Sequence, residues 1–184
     1  VKEMASLIGR GINSVNGGTA KIRTVPDVFP EILGSKSPIP EAGSLYATLE
    51  DLQSCAGIAL GSPTRFGNMA APLKYFLDTA TTAWLKGSLE NKPACVFTSS
   101  GSIHGGNEST LLSMQLPLFH LGMIIIGIPY SEPSLSNSIS GGTPYGASHV
   151  GGEKNNNPIT GDEKKICIAQ GVRLAEIAKK INSK

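Results

Sequence analysis

The 184 residues, 40% hydrophobic and 16% charged, describe an ordinary folded chain and exclude a disordered one. A formal net charge of +2, with no run of lysines or arginines, gives no footing for nucleic acid. Three widely spaced cysteines (Cys55, Cys95, Cys167) argue against a disulfide framework and for a reducing cytoplasm, and no apolar run is long enough to span a membrane.

Met4, Leu7, Ile8, Gly11, Ile12 and Val15 recur at helical spacing, so the chain opens inside an amphipathic helix. No capping residue precedes Val1, and further residues, including a strand, are expected upstream. Gly17-Gly18 closes the helix, and the alternation over 20–25 predicts an edge or half-buried strand. Residues 26–43 read as a loop, and Leu45, Leu49 and Leu52 as a short helix leading into an apolar strand at 56–61. Ser62 to Gly67 has the composition of a polar turn, with Asn68 as the N-cap of a helix carrying Leu73, Phe76 and Leu77.

Trp84 to Lys92 is a connector with a turn at Lys86-Gly87. Ala94 to Phe97 is a further strand, continued by a serine- and glycine-rich loop, Ser99-Ser100-Gly101-Ser102-Ile103-His104-Gly105-Gly106. A helix follows from about Asn107 to His120, with Leu111, Leu112, Leu116 and Phe119 expected inside, a kink at Pro117 and a stop at Gly122. Met123 to Ile128 reads as a buried parallel strand. Residues 129–161 show little periodicity, and so long a connection is more often functional than idle. The chain closes with a helix from about Asp162 to Ile181.

Alternating helices and short strands, without hairpin signals, give an α/β doubly wound sheet. We read residues 1–184 as a single domain with an insertion at about 129–161. The strands at 56–61 and 94–98 both end in hydroxyl- and glycine-rich loops. These lie at the sheet's carboxyl edge, where an open α/β sheet binds its ligand, and together they suit a planar one. Taken alone, His120 is either a partner of the helix dipole or a site residue. His104 is either solvated or in the site, and His149 reads as a surface residue. No cluster at metal-ligand spacing is present, so no metal is expected. Ser99, Ser100 and Ser102 have no histidine–acid pair spaced to activate them, which excludes a serine hydrolase.

Five stretches occur in one order: Gly61-Ser62-Pro63-Thr64-Arg65-Phe66-Gly67-Asn68-Met69, Trp84, the loop at 99–106, His120-Leu121-Gly122-Met123, and Gly141-Gly142-Thr143-Pro144-Tyr145-Gly146-Ala147. This resembles the WrbA-type NAD(P)H:quinone oxidoreductases, FMN enzymes of the flavodoxin-like superfamily. The resemblance covers nearly the whole chain and implies a five-stranded parallel sheet in the order 2-1-3-4-5. It implies one FMN per subunit, NADH or NADPH as co-substrate, and a homotetramer built as a dimer of dimers. It also implies two-electron reduction of quinones to hydroquinones; if NAD(P)H and quinone take one shared pocket in turn, ping-pong kinetics are expected. The other readings kept open are a flavodoxin-type electron carrier and a flavin-free interaction module.

Carried onto matching positions, the resemblance puts Thr64, Arg65 and Phe66 along the flavin ring, with Pro63, Gly67 and Asn68 shaping the same loop. Ser99, Ser100, Gly101, Ser102, Ile103 and His104 form the second flavin loop. His120 and Trp84 line the pocket over the ring, His120 toward a neighbouring subunit's flavin and donating to a quinone oxygen, and Tyr145 contacts the substrate. Two departures stand out. The family's first strand and phosphate loop precede Val1 and are expected upstream, and the loop at 99–106 is one residue longer than is usual.

Overall fold

The computed structural model describes residues 1–28, 40 and 42–183. The expected loop at 26–43 therefore falls largely outside the described residues. In chain order the elements are α1 (Lys2–Ser14), α2 (Leu49–Ser54), β1 (Ile58–Arg65), β2 (Asn68–Met69), α3 (Ala71–Asp78) and α4 (Thr81–Leu85). They continue with β3 (Pro93–Ser100), α5 (Asn107–His120), β4 (Ile124–Ile125), α6 (Pro133–Asn137), β5 (Ala147–Val150) and α7 (Gly161–Asn182).

The sheet is organised on β3, every residue of which is buried, as a near-continuous apolar run demands when both faces are covered. β1 runs parallel to it from Ile58 opposite Ala94 to Pro63 opposite Ser99. Its other edge is shared. β4 pairs with Pro93–Ala94 and β5 with Phe97–Ser100, both parallel. β2 folds back antiparallel on the end of β1.

Side chains of β3 alternate between two cores. Ala94 and Val96 join Leu73, Leu77, Leu111, Met114 and Leu118 from α3 and α5. Phe97 joins Met4, Leu7 and Ile8 of α1 and Ile166 and Cys167 of α7. The result is an α/β/α layering with α1 and α7 on one face. Those two helices approach closely because Gly11 and Gly171 carry no side chain. A Cβ on Gly11 would stand 2.1 Å from the Ile168 carbonyl oxygen, and one on Gly171 2.0 Å from that of Ile8.

Several expectations are corrected. Residues 20–25 form no strand, because a ladder needs a continuous partner and only Thr24 finds one, bridging to Tyr46. The polar turn expected over 62–67 shrinks to Phe66-Gly67. β1 continues through Arg65 and a hairpin forms, so Asn68 lies in β2 and the N-cap of α3 is Ala70. On α5 the buried residues are Leu111, Met114 and Leu118, whereas Leu112, Leu116 and Phe119 face outward. α5 runs through Pro117 to His120, with Gly122 left-handed beyond its end. The strand expected over Met123–Ile128 keeps only Ile124–Ile125 in its ladder, although Met123, Ile126 and Ile128 are buried. The 129–161 stretch is not structureless, since α6 and β5 lie within it. Among the described residues no helix is long and apolar enough to cross a membrane.

Candidate functional site

The parallel register brings three carboxyl ends to one edge. Pro63 of β1 lies opposite Ser99 of β3, and Ser99 in turn lies opposite His149 of β5. The two stretches singled out from sequence, 63–68 and 99–104, are therefore neighbours. Thr64 and Arg65 complete β1, Phe66-Gly67 make the hairpin turn, and Asn68 opens β2. The turn needs positive φ at both central residues, and Phe66 at 52° and Gly67 at 75° supply it. Phe66 stands fully exposed at the tip, and Ile103 is exposed in the facing loop. Two bare apolar groups on neighbouring loops suit a stacking ligand.

A line of hydroxyls ties the elements together beneath these loops. Thr98 donates to the Ser62 carbonyl at 2.8 Å, so its oxygen is left to accept from Thr64 at 3.3 Å. Thr110 of α5 donates to Thr64 at 3.2 Å. β1, β3 and α5 are thus joined by one chain of donors beneath the hairpin. Ser62 extends it, its hydroxyl accepting from the Ala70 amide at 2.8 Å. Asn68 accepts from the Ser113 hydroxyl at 3.1 Å, tying the hairpin to α5 as well.

The second loop is closed by Ser100, whose hydroxyl donates to the Ser102 carbonyl and whose own carbonyl accepts from Gly151 at 2.8 Å. Gly106, left-handed at φ 88°, caps α5 without a side-chain cap. The next residue, Asn107, is buried, and its Oδ1 has no hydrogen-bond partner. Buried polar atoms are normally satisfied, and this one is an exception at the first turn of α5. Arg65, at the hairpin end, is exposed, its guanidinium donating to the Thr64 carbonyl at 2.9 Å.

Trp84 and His120 come together elsewhere. They line an open groove of about 290 Å³ between α3, α4 and α5, with Lys74, Asp78, Thr81, Pro117 and Leu121. None of its lining residues comes from 63–68 or 99–104. Tyr145 sits apart from that groove, its carbonyl accepting from Gln115 of α5 at 3.1 Å and its amide donating to the Thr143 hydroxyl.

One sequence reading fails. His149 is not on the surface but 8% exposed, with Nδ1 2.9 Å from Glu163 Oε2. A polar residue is buried when a partner is waiting, and Glu163 lies 14 positions downstream, out of local view. Sequence reasoning also passed over Glu163, Gln170, Thr98 and Thr110. Only Glu163 had a readable signal, the capping box Thr160-Gly161-Asp162-Glu163.

The chain matches the family described as NADPH-dependent FMN reductase over residues 15–132. It belongs to that family. A protein of Syntrophobacter fumaroxidans named NAD(P)H dehydrogenase (quinone) is 40% identical, the match covering 98% of this chain and 92% of that one. One of the same name from Geobacter sulfurreducens is 38% identical over 99% of this chain and 93% of its own. Among solved structures, a flavodoxin, WrbA-like protein from Agrobacterium tumefaciens aligns with a TM-score of 0.63, covering 96% of this chain and 88% of that one at 18% identity. An archaeal flavodoxin aligns at 0.61 over 97% and 90%, also at 18%. The flavodoxin-like fold expected from the sequence is the one found, although residues 20–25 supply no strand to it and β4 and β5 share one edge of β3. The sheet of this FMN reductase family member is mixed, because β2 runs antiparallel.

Proposed function

We propose that the chain is an FMN-dependent oxidoreductase that reduces quinones to hydroquinones with NADH or NADPH, both substrates using one pocket in turn. One observation carries the reading. In a member of the FMN reductase family, register brings the 63–68 hairpin and the 99–104 loop to one edge, beside a hydroxyl chain that joins β1, β3 and α5. When bound, FMN supplies hydride uptake and two-electron delivery.

The residues present fit that group. Pro63, Thr64, Phe66, Gly67 and Asn68 hold one side of the ring. Ser99, Ser100, Gly101, Ser102, Ile103 and His104 would hold the other, with Phe66 and Ile103 exposed for stacking. Arg65 supplies the positive charge that stabilises a ring gaining electrons. Trp84 stacks a nicotinamide or quinone ring, and a His120 ring N–H donates to a quinone oxygen. Tyr145 closes the substrate space and keeps water out.

In this reading the Trp84–His120 groove, which no residue of the ring loops lines, serves the ring of another copy in a homotetramer assembled as a dimer of dimers. Leu112, Leu116 and Phe119 form an exposed apolar face on the same helix as His120, which supports such an assembly. The thiols fit a reducing cytoplasm: burial pushes Cys95 and Cys167 up to about 12, so neither is reactive.

Steady-state kinetics of the FMN-loaded protein test this. Parallel double-reciprocal lines for NAD(P)H against a soluble benzoquinone are expected, with a tetramer by light scattering. Intersecting lines overturn the shared pocket. A protein that takes up no FMN overturns the whole reading.

A further inference from the structure

Glu163 does more than a helix-capping residue needs to. A capping box asks one carboxylate to receive one backbone amide. Here the side chain, 1% exposed, receives four donors. Oε2 accepts from the Thr160 amide at 2.8 Å and faces His149 Nδ1 at 2.9 Å. Oε1 accepts from the Gly141 amide at 2.9 Å and the Val150 amide at 3.4 Å. Gly141 and Val150 bracket the stretch that carries Tyr145, so both of its feet rest on one oxygen.

Inside that stretch the chain is pinned further. The Gly142 amide donates to the Ser148 hydroxyl at 2.8 Å, and Thr143 and Gly146 bridge one another. Only glycine fits at 141, where a Cβ would stand 2.0 Å from the Ser148 carbonyl oxygen and 2.6 Å from Glu163 Oε1. His149, held by the same carboxylate, lies opposite Ser99 in the β3–β5 ladder. Burial pushes the Glu163 carboxyl up, but the Thr160 amide, His149 and the Gly141 amide outweigh it and hold it below its ordinary value. It is therefore a carboxylate at neutral pH, and His149 Nδ1–H is the donor.

We propose that Glu163, with His149, is a positioning residue for quinone reduction: it holds the 141–150 stretch so that Tyr145 faces the substrate, and sets quinone affinity without touching the reacting atoms. This rests on the reading that Tyr145 closes the substrate space. Glu163→Gln keeps the shape but removes the charge that draws all four donors: an amide in place of Oε1 sets donor against donor at both feet of the stretch, and one in place of Oε2 does so at Thr160 and faces the His149 N–H.

The FMN-loaded Glu163→Gln enzyme is expected to show a quinone KM raised about tenfold with kcat within about twofold, the pattern of lost uniform binding. FMN affinity and the rate of the NADH half-reaction at saturating NADH stay at wild-type values, while NADH, which uses the same pocket, binds more weakly in the same way. Tyr145→Ala alone raises KM similarly, and the double variant raises it no further, because Glu163 acts through Tyr145. Ser148→Ala removes the inner pin without touching the carboxylate and is expected to raise KM in the same direction. It decides the matter if Glu163→Gln does not fold. An unchanged KM in the folded variant, a kcat loss at constant KM, or effects that add to those of Tyr145→Ala would overturn the proposal alone. A wild type that binds no FMN overturns the functional reading and the proposal with it.

Discussion

A Cβ placed on Gly106 would stand 3.0 Å from the Cα of Gly67, so the loop after β3 and the turn of the β1–β2 hairpin meet backbone to backbone. Both residues are left-handed, at φ 88° and 75°, a conformation that glycine alone adopts freely. A side chain on Gly106 would push the two apart, whereas one on Gly67 would meet the Ser109 hydroxyl at 3.0 Å.

Gly106→Ala is therefore expected to lose about 1–3 kcal/mol of stability through strain and crowding together. Urea unfolding measures it. The same variant should bind FMN more weakly in a fluorescence titration, since its hairpin is pushed from the loop. Wild-type values in both assays would refute the contact's importance.

Thr98 is wholly buried and its hydroxyl both donates and accepts. Thr98→Val fills the same volume but leaves the Ser62 carbonyl without this donor and the Thr64 hydroxyl without its acceptor. A loss of about 1–3 kcal/mol follows from unmet buried polar groups. Thr110→Val, at the chain's other end, removes only a donor and should cost less. Equal losses in denaturant midpoints would contradict the directionality assigned to this chain.

Gln170 on α7 is 1% exposed and bridges two strands, donating to the Val96 carbonyl at 2.8 Å and accepting from the Ala147 amide at 3.0 Å. It stands where β3 passes from the end of β4 to the start of β5. Gln170→Leu leaves both groups unpaired and should destabilise by about 2 kcal/mol or more. Hydrogen exchange locates the damage: the Ala147 amide should lose protection well before the amides of β1.

Stability should fall in acid with an identifiable contribution from Glu163. Its folded carboxyl is held below the ordinary 4.5, so the unfolded chain takes up the proton first as pH drops. The contribution is complete above pH 4.5 and is lost as pH falls through the folded value. Asp51, held low chiefly by its hydrogen bonds from Arg23, acts in the same direction. Urea midpoints across this range should decline less steeply in Glu163→Gln than in wild type. Parallel declines would remove Glu163 from the account.

The long elements were legible because their signals were local. β1, β3, α1 and α7 carry apolar residues at the strand or helix period, and each forms near its expected place. β5 was not legible. Ser148 and His149 make it look polar, and they are buried only because Gly142 and Glu163 supply partners from elsewhere in the chain. The hairpin escaped because its turn puts an aromatic residue, Phe66, at positive φ, where Asn or Gly is the usual sign. α5 carries apolar residues on two sides, and periodicity alone does not say which faces the sheet. Of the candidate site, the hairpin and loop came together as expected, whereas Trp84 and His120 gathered in a separate groove.

β3 changes partner midway, from β4 at Pro93–Ala94 to β5 at Phe97–Ser100. The chain thus leaves one sheet edge in mid-course and returns to the same edge a few residues further along. What lies between is spliced into a lane of the sheet instead of hanging from its end. Its length is free to vary while both ladders keep register, provided Gln170 and Glu163 secure the re-entry. Such a socket accepts foreign segments, so residues 129–139 are exchangeable while both ladders and the carboxyl edge of the sheet stay in place.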